Sequence, residues 1–302
     1  MQQALDISGF STALYSTFWF IEPAGVLFDC GDGASAFLQQ KGLKVQHIAC
    51  SHPDRDHLAG LLQFLQVNSR DGSPTVYYPK DSGSFPALRD FTDRFDPHKA
   101  GFVKWQGIDD QAEIEIKPNW ILKAYRNRHV PHVGERAGAV KSLSYSLIHR
   151  RKKLKAEFCD LPGPEIGQLC RDKGESHIYD RVEETAVTYS ADTPIEPPSF
   201  WHDPKVLIHE ATFLDHETAG KRGQESRHSV LEDVIQMATQ MSSREALVLG
   251  HFSCRYHEPE IRQAIKECAS EFQLGVPVFA VCPGESQKQI LSGKPVYRPK
   301  KT

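Results

Sequence analysis

Along this chain, short apolar runs of strand character are followed by stretches whose apolar residues recur at helical spacing. Residues 12–20 and 25–28 are aromatic and β-branched, which predicts two strands joined by a turn at Glu22-Pro23-Ala24. A tight turn follows at Asp29-Cys30-Gly31-Asp32-Gly33. Residues 45–49 read as a buried strand ending in Ser51-His52-Pro53-Asp54-Arg55-Asp56-His57. From Leu58 the apolar positions 58, 61, 62 and 65 keep helical spacing, so the His/Asp cluster is expected on a loop between strand and helix. Such loops are where α/β proteins place chemistry.

The second half repeats the arrangement. Strands predicted at 185–189 and 205–208 end at Ser190-Ala191-Asp192-Thr193 and His209-Glu210-Ala211-Thr212. A helix with apolar positions 230, 234, 237, 238 and 241 follows Arg227-His228-Ser229, and a strand at 246–249 ends at Gly250-His251. Four predicted strand ends thus carry acid or imidazole groups. Residues 149–155 form a basic run, and Leu161-Pro162-Gly163-Pro164 breaks regular structure after it. Together they predict a small basic excursion near 149–185 from one continuous domain over 1–302.

Composition narrows the function classes. With 302 residues, 39% hydrophobic and 25% charged, the chain is long enough for a large core and excludes collagen-like, disordered and disulfide-scaffold classes. Thirty-six Lys and Arg stand against thirty-nine Asp and Glu, so any grip on nucleic acid must be local rather than a whole-molecule attraction. Seven cysteines without a Cys-x-x-Cys pair read as reduced thiols. No 18-residue apolar run and no leader pattern stand in the sequence, so a cytoplasmic protein without a membrane partner is expected.

His52-x-Asp54-x-Asp56-His57 concentrates two imidazoles and two carboxylates in six positions, and crowding carboxylates is costly without a cation. Imidazole nitrogen with carboxylate oxygen suits zinc, manganese or iron, and Asp192, His251 and His129 add donors beside strand ends. The segment Arg128-His129-Val130-Pro131-His132 offers two imidazoles for one place; His129 is nearer the apolar stretch 120–125.

Residues 51–60, Ser-His-Pro-Asp-Arg-Asp-His-Leu-Ala-Gly, resemble the metal-binding signature of the metallo-β-lactamase superfamily, usually His-x-His-x-Asp-His. Phe28 to Gly33, Tyr189-Ser190-Ala191-Asp192-Thr193, His209-Glu210-Ala211-Thr212-Phe213, Arg227-His228-Ser229 and His251-Phe252-Ser253-Cys254-Arg255-Tyr256 resemble further motifs of its ribonuclease Z branch, in family order. The resemblance implies an α/β fold, a four-layer αββα sandwich. It also implies two divalent metal ions, zinc first, with manganese or magnesium as alternatives. His52 and His129 would bind the first ion, Asp56, His57 and His251 the second, and Asp192 both. Asp54 stands where the family has histidine, and its harder oxygen shifts the first site toward manganese or magnesium.

The implied activity is a phosphodiesterase acting on RNA or another phosphodiester through a metal-activated water. Asp56 would orient that water, with His228 and Glu210 as acid and orienter. Arg150, Arg151, Lys152 and Lys153 lie where the branch carries a substrate-gripping arm, and a homodimer is expected on the same ground. The alternatives are a hydrolase of another ester class and a nucleic-acid-binding scaffold with a decayed first site.

Overall fold

The computed structural model describes residues 5–130, 138–220, 227–241 and 245–300. Its first half contributes strands β1 (Ile7–Thr12), β2 (Ser16–Ile21), β3 (Val26–Phe28), β4 (His47–Ala49), β5 (Thr75–Pro79) and β6 (Lys104–Ile108). The second contributes β7 (Glu113–Lys117), β8 (Trp120–Arg126), β9 (Leu143–Leu154), β10 (Tyr179–Tyr189), β11 (Val206–Glu210), β12 (Ala246–Gly250), β13 (Val278–Ala280) and β14 (Ser286–Gln287). Among the described residues these form two seven-stranded sheets, ordered β14-β1-β2-β3-β4-β5-β6 and β13-β12-β11-β10-β9-β8-β7. In each sheet a parallel block, β3 to β6 or β10 to β13, adjoins an antiparallel one.

Strand periodicity explains the layering. Trp19 and Ile21 of β2 point into the space between the sheets, where they meet Leu122, Tyr145, Leu147, Val187 and Ile208 from the other sheet. Phe18 and Phe20 point the opposite way, onto α1 (Ala34–Leu38) and α3 (Leu61–Asn68). Likewise Val206, Ile208 and Val248 face inward, while Leu207, Leu247 and Leu249 face α8 (Leu231–Thr239) and α9 (Glu258–Glu271). Both sheets are therefore covered on both faces, the condition under which parallel strands are stable, and the αββα sandwich results. Gly250 permits the close approach of the sheets: a Cβ there would lie 2.7 Å from the Trp19 ring.

Four local expectations are corrected. The 12–20 stretch is not one strand; β1 ends at Thr12, and a hairpin with Leu14 in the left-handed region (φ 71) leads into β2. Because β1 and β2 are buried on both faces, they lack the alternation that would have separated them. Asp56 and His57 lie on a helical turn, α2 (Arg55–Leu58), rather than in the loop. β11 continues through His209 and Glu210, so both sit in the strand.

The fourth correction concerns the charge of the excursion, whose basic run forms the distal half of β9. It pairs with β10, and α5 (Gly163–Lys173) and α6 (Glu175–Ile178) lie between the two strands. α5 buries none of its residues, so this arm is held by its ladder and by charge pairs. Residues 149–185 hold eight Lys and Arg and eight Asp and Glu, so the arm is balanced rather than basic. Arg150 pairs with Glu183 at 2.7 Å, Arg151 with Glu184 at 3.5 Å and Lys152 with Glu175 at 2.5 Å, while Lys153 stands opposite Asp180.

Candidate metal centre

At one edge of the sandwich the ends of β4, β8, β10, β11 and β12 converge, and His52, His129, Asp192, Glu210 and His251 stand on or just after them. Asp56 and His57 enter from α2, which is seated by two glycines. A Cβ on Gly60 would lie 2.1 Å from the Gly31 carbonyl oxygen, and one on Gly31 would lie 2.4 Å from that of Asp56. Backbone-to-backbone contact at this point lets Cys30 donate to the His57 carbonyl at 2.7 Å. Asp29, Ala191 and His251 all adopt positive φ (53, 54 and 58), a cost that concentrates where strands turn into functional loops.

The second ring nitrogen of each imidazole shows how the centre is built. His57 Nδ1 faces the buried Asp29 carboxylate at 2.8 Å, and His129 Nδ1 faces the Arg227 carbonyl at 3.1 Å. Both partners can only accept, so in the neutral ring Nδ1 carries the proton and Nε2 presents a lone pair. Ser51 Oγ donates to Asp29 at 2.8 Å and accepts from His52 Nδ1 at 2.9 Å. Thr212 Oγ1 donates to Glu210 at 2.5 Å and accepts from His251 Nδ1 at 2.9 Å. In their neutral forms the four imidazoles thus aim Nε2 lone pairs at the same small volume as three carboxylates.

The spacing of these atoms fits bound cations. His57 Nε2 and His251 Nε2 are 3.4 Å apart, and each lies 3.3 Å from Asp192 Oδ2. Asp56 Oδ2 is 3.4 Å from His251 Nε2 and 3.7 Å from His57 Nε2. On the other side, Asp54 Oδ2 is 3.7 Å from both His52 Nε2 and His129 Nε2, and His52 Nε2 is 3.7 Å from Asp192 Oδ2. Tetrahedral coordination at about 2.0 to 2.1 Å places ligand atoms about 3.3 to 3.4 Å apart. His52 Nε2, fully buried, has no hydrogen-bond partner among the described residues. Lone pairs facing lone pairs and an orphaned buried nitrogen are what a divalent cation resolves.

The electrostatics of the centre carry the same message. Burial pushes the Asp192 carboxyl up, but the charges of His251 and His57 more than reverse this and hold it well below the usual carboxylate range. Burial also opposes charging His57, yet Asp192 and Asp29 raise it well above the ordinary imidazole value. The centre demands positive charge, which a proton partly supplies when no metal is present.

The structure brings together every residue expected at the centre: His52, Asp54, Asp56, His57, His129, Asp192 and His251. His132 lies outside the described residues. His228 stands over the centre with Nδ1 3.1 Å from Glu210 Oε1 and 3.8 Å from Asp192 Oδ2. Burial lowers its affinity for a proton, and the Glu210 and Asp192 carboxylates overcome that, bringing its pKa to about 9. Glu210 is buried, its other contacts being the Thr193 N–H at 2.7 Å and the Thr212 hydroxyl. Arg150, Arg151, Lys152 and Lys153 are not part of this cluster and lie on the arm. A cleft of about 340 Å³ opens beside Asp54 and His129, and Lys141 and Arg227 contribute cations to its wall.

Several supporting residues have no role in the sequence reading, even where they stand in a quoted motif. Asp29 takes four donors: Ser51 N–H and hydroxyl, His57 Nδ1 and the Tyr189 hydroxyl at 2.7 Å. Tyr189 comes from the opposite sheet and stacks on Phe28, so this one carboxylate ties the two halves together. Asn127 donates to the Asp192 carbonyl at 3.2 Å and accepts from His129 N–H at 3.3 Å, fixing two loops at once. Its place two residues after the apolar stretch 120–125 and two before His129 was the only signal for it.

No family model matches the chain. The chain is 30% identical over 287 residues to a ribonuclease Z of Ignicoccus hospitalis, covering 86% of this chain and 88% of that protein. It is 26% identical over 283 residues to the chloroplastic tRNase Z of Arabidopsis thaliana, covering 89% of this chain and 73% of that one. Among solved structures, the short form of human tRNase Z superposes with a TM-score of 0.55 at 20% identity, over 83% of this chain and 94% of that one. A metallo-β-lactamase fold protein of Bacillus subtilis superposes with a TM-score of 0.58 at 14% identity, over 94% of this chain and 99% of that one. The fold is therefore that of the metallo-β-lactamase proteins, and the chain belongs to the ribonuclease Z family.

Proposed function

We propose that the protein is a metal-dependent phosphodiesterase that hydrolyses RNA, with 3′-extended precursor transfer RNA as its substrate. The observation that carries this reading is Asp192, a single buried carboxylate within reach of both donor sets, beside a His228–Glu210 pair that can handle a proton. In this reading His52, Asp54, His129 and Asp192 hold one divalent ion, and Asp56, His57, His251 and Asp192 the other. When bound, the ions supply the charge that polarises the phosphoryl oxygens and makes water acidic. Zinc suits the imidazole-rich second set, while the extra carboxylate Asp54 admits manganese or magnesium in the first.

The chain's own groups do the rest. Asp56 Oδ2 accepts the Leu14 N–H at 3.0 Å, which fixes the carboxylate and leaves it placed to take the proton of the attacking water. The Glu210 carboxylate beside Nδ1 favours the protonated form of the His228 imidazole. With Nδ1 turned to Glu210, its Nε2–H is the proton delivered to the leaving oxygen, and its positive charge offsets that of the developing oxyanion. Lys141 and Arg227 in the cleft wall attract the phosphate chain. The arm residues Arg150, Arg151, Lys152 and Lys153 dock distant phosphates by exchanging surface carboxylates for them, an exchange of weak exposed pairs.

RNA as partner, a homodimer and cytoplasmic residence complete the proposal. Among the described residues no helix is long and apolar enough to cross a membrane. The test is elemental analysis of the purified protein, followed by turnover of methyl p-nitrophenyl phosphate, a precursor transfer RNA and a thioester. Two metal equivalents with cleavage of the two phosphodiesters are expected. Turnover of the thioester alone, or metal-free inert protein, overturns the reading.

A further inference from the structure

The β1–β2 hairpin reaches the centre with a tip that the chemistry above leaves unexplained. Leu14 is 76% exposed and Tyr15 is 63% exposed, two large apolar side chains held in water. They are not on a loose loop. Ala13 N–H donates to the Phe252 carbonyl at 3.2 Å, Leu14 N–H to Asp56 Oδ2 at 3.0 Å and Tyr15 N–H to the Thr12 carbonyl at 3.1 Å. The tip is thereby locked to the segment after His251 and to Asp56, and Asp56 Oδ2 lies 3.4 Å from His251 Nε2. Leu14 holds a φ of 71, a conformation for which glycine or asparagine is the usual residue. Folding alone gives no reason for a leucine in that conformation with its side chain in solvent.

The charge of the hairpin restricts what could cover the tip. Residues 5–21 contain no lysine or arginine, so the tip brings no cation to a phosphate. The apolar surfaces that an RNA chain offers are the faces of its bases, and aromatic side chains are the usual platform for unstacked ones. Consecutive Cα atoms are about 3.8 Å apart, so Tyr15 stands within one nucleotide of a phosphate seated at the donor set. We propose that Tyr15, with Leu14 beside it, is the stacking surface for the nucleobase next to the scissile phosphate. This rests on the reading of the protein as an RNA phosphodiesterase. Stacking without hydrogen-bond readout tolerates any base and favours the larger purines.

The experiment uses the metal-loaded full chain and RNAs that carry an abasic ribose immediately 5′ or immediately 3′ of the cleavage site. For wild type, removing the base on one side lowers kcat/KM about tenfold, in the range of one lost stacking contact. Tyr15→Ala cleaves intact and abasic RNA at the same rate, while Tyr15→Phe keeps the wild-type preference. Melting temperature and metal content establish that both variants are folded and loaded. Equal loss on intact and abasic RNA in Tyr15→Ala, or no effect of base removal in wild type, overturns the stacking role. Failure of wild type to cleave any RNA overturns the parent reading, and the stacking role with it.

Discussion

Asp29 shows how much of the centre depends on residues that touch no substrate. Its carboxylate has only acceptors to offer, and all four groups around it are donors. Asn at this position would turn an amide N–H toward one of them, releasing the His57 tautomer. We expect Asp29→Asn to remain folded but to lose 10- to 100-fold in metal affinity, about the effect of removing a partner behind a ligating histidine. A competition titration against a chelator reads this directly; unaltered affinity would exclude the orienting role.

The His228–Glu210 pair gives a second residue-scale prediction, in the metal-free protein. The imidazole titrates at about 9, above its ordinary value near 6.5, because the nearby carboxylates outweigh burial. The stabilisation from this pair is complete below pH 6.5 and is lost as pH rises through 9. In Glu210→Gln the NMR titration of His228 should fall toward 6.5, and a midpoint that stays near 9 would assign the shift elsewhere.

At the scale of elements, what the sequence made legible followed from periodicity and from strand ends. The strands β4, β11 and β12 and the last residues of β10 show as strand-like runs, and their ends mark four of the site segments without any coordinates. β1 could not be read so easily, since Ile7-Ser8-Gly9-Phe10-Ser11-Thr12 is small and mixed and gains its burial from neighbours on both faces. The basic run could be seen but not interpreted, because its partners Glu175, Glu183 and Glu184 lie 23 to 33 residues further along and meet it only through the β9–β10 ladder. The docking role of the arm is open to measurement: neutralising Arg150, Arg151, Lys152 and Lys153 together should weaken precursor transfer RNA several-fold and flatten its salt dependence. Methyl p-nitrophenyl phosphate, too short to reach the arm, should be cleaved as before. An equal effect on both substrates would show that the four residues act on the centre through the fold.

For the whole molecule, the centre exists only because two sheets meet. His52, Asp54, Asp56 and His57 follow a strand of the first sheet, and His129, Asp192, Glu210 and His251 stand on or just after strands of the second. Contacts such as Tyr189 to Asp29 and Tyr145 to the Cys50 carbonyl at 2.6 Å hold the two sets in register. The motif spacing could announce the donors, yet their convergence is a property of the assembled sandwich. The most direct measurement is the metal stoichiometry of Asp192→Ala beside wild type, by elemental analysis after dialysis. A carboxylate shared by two ions predicts two equivalents in wild type and the loss of both in the variant; the loss of one alone, with the other retained, would contradict a dinuclear centre built around Asp192.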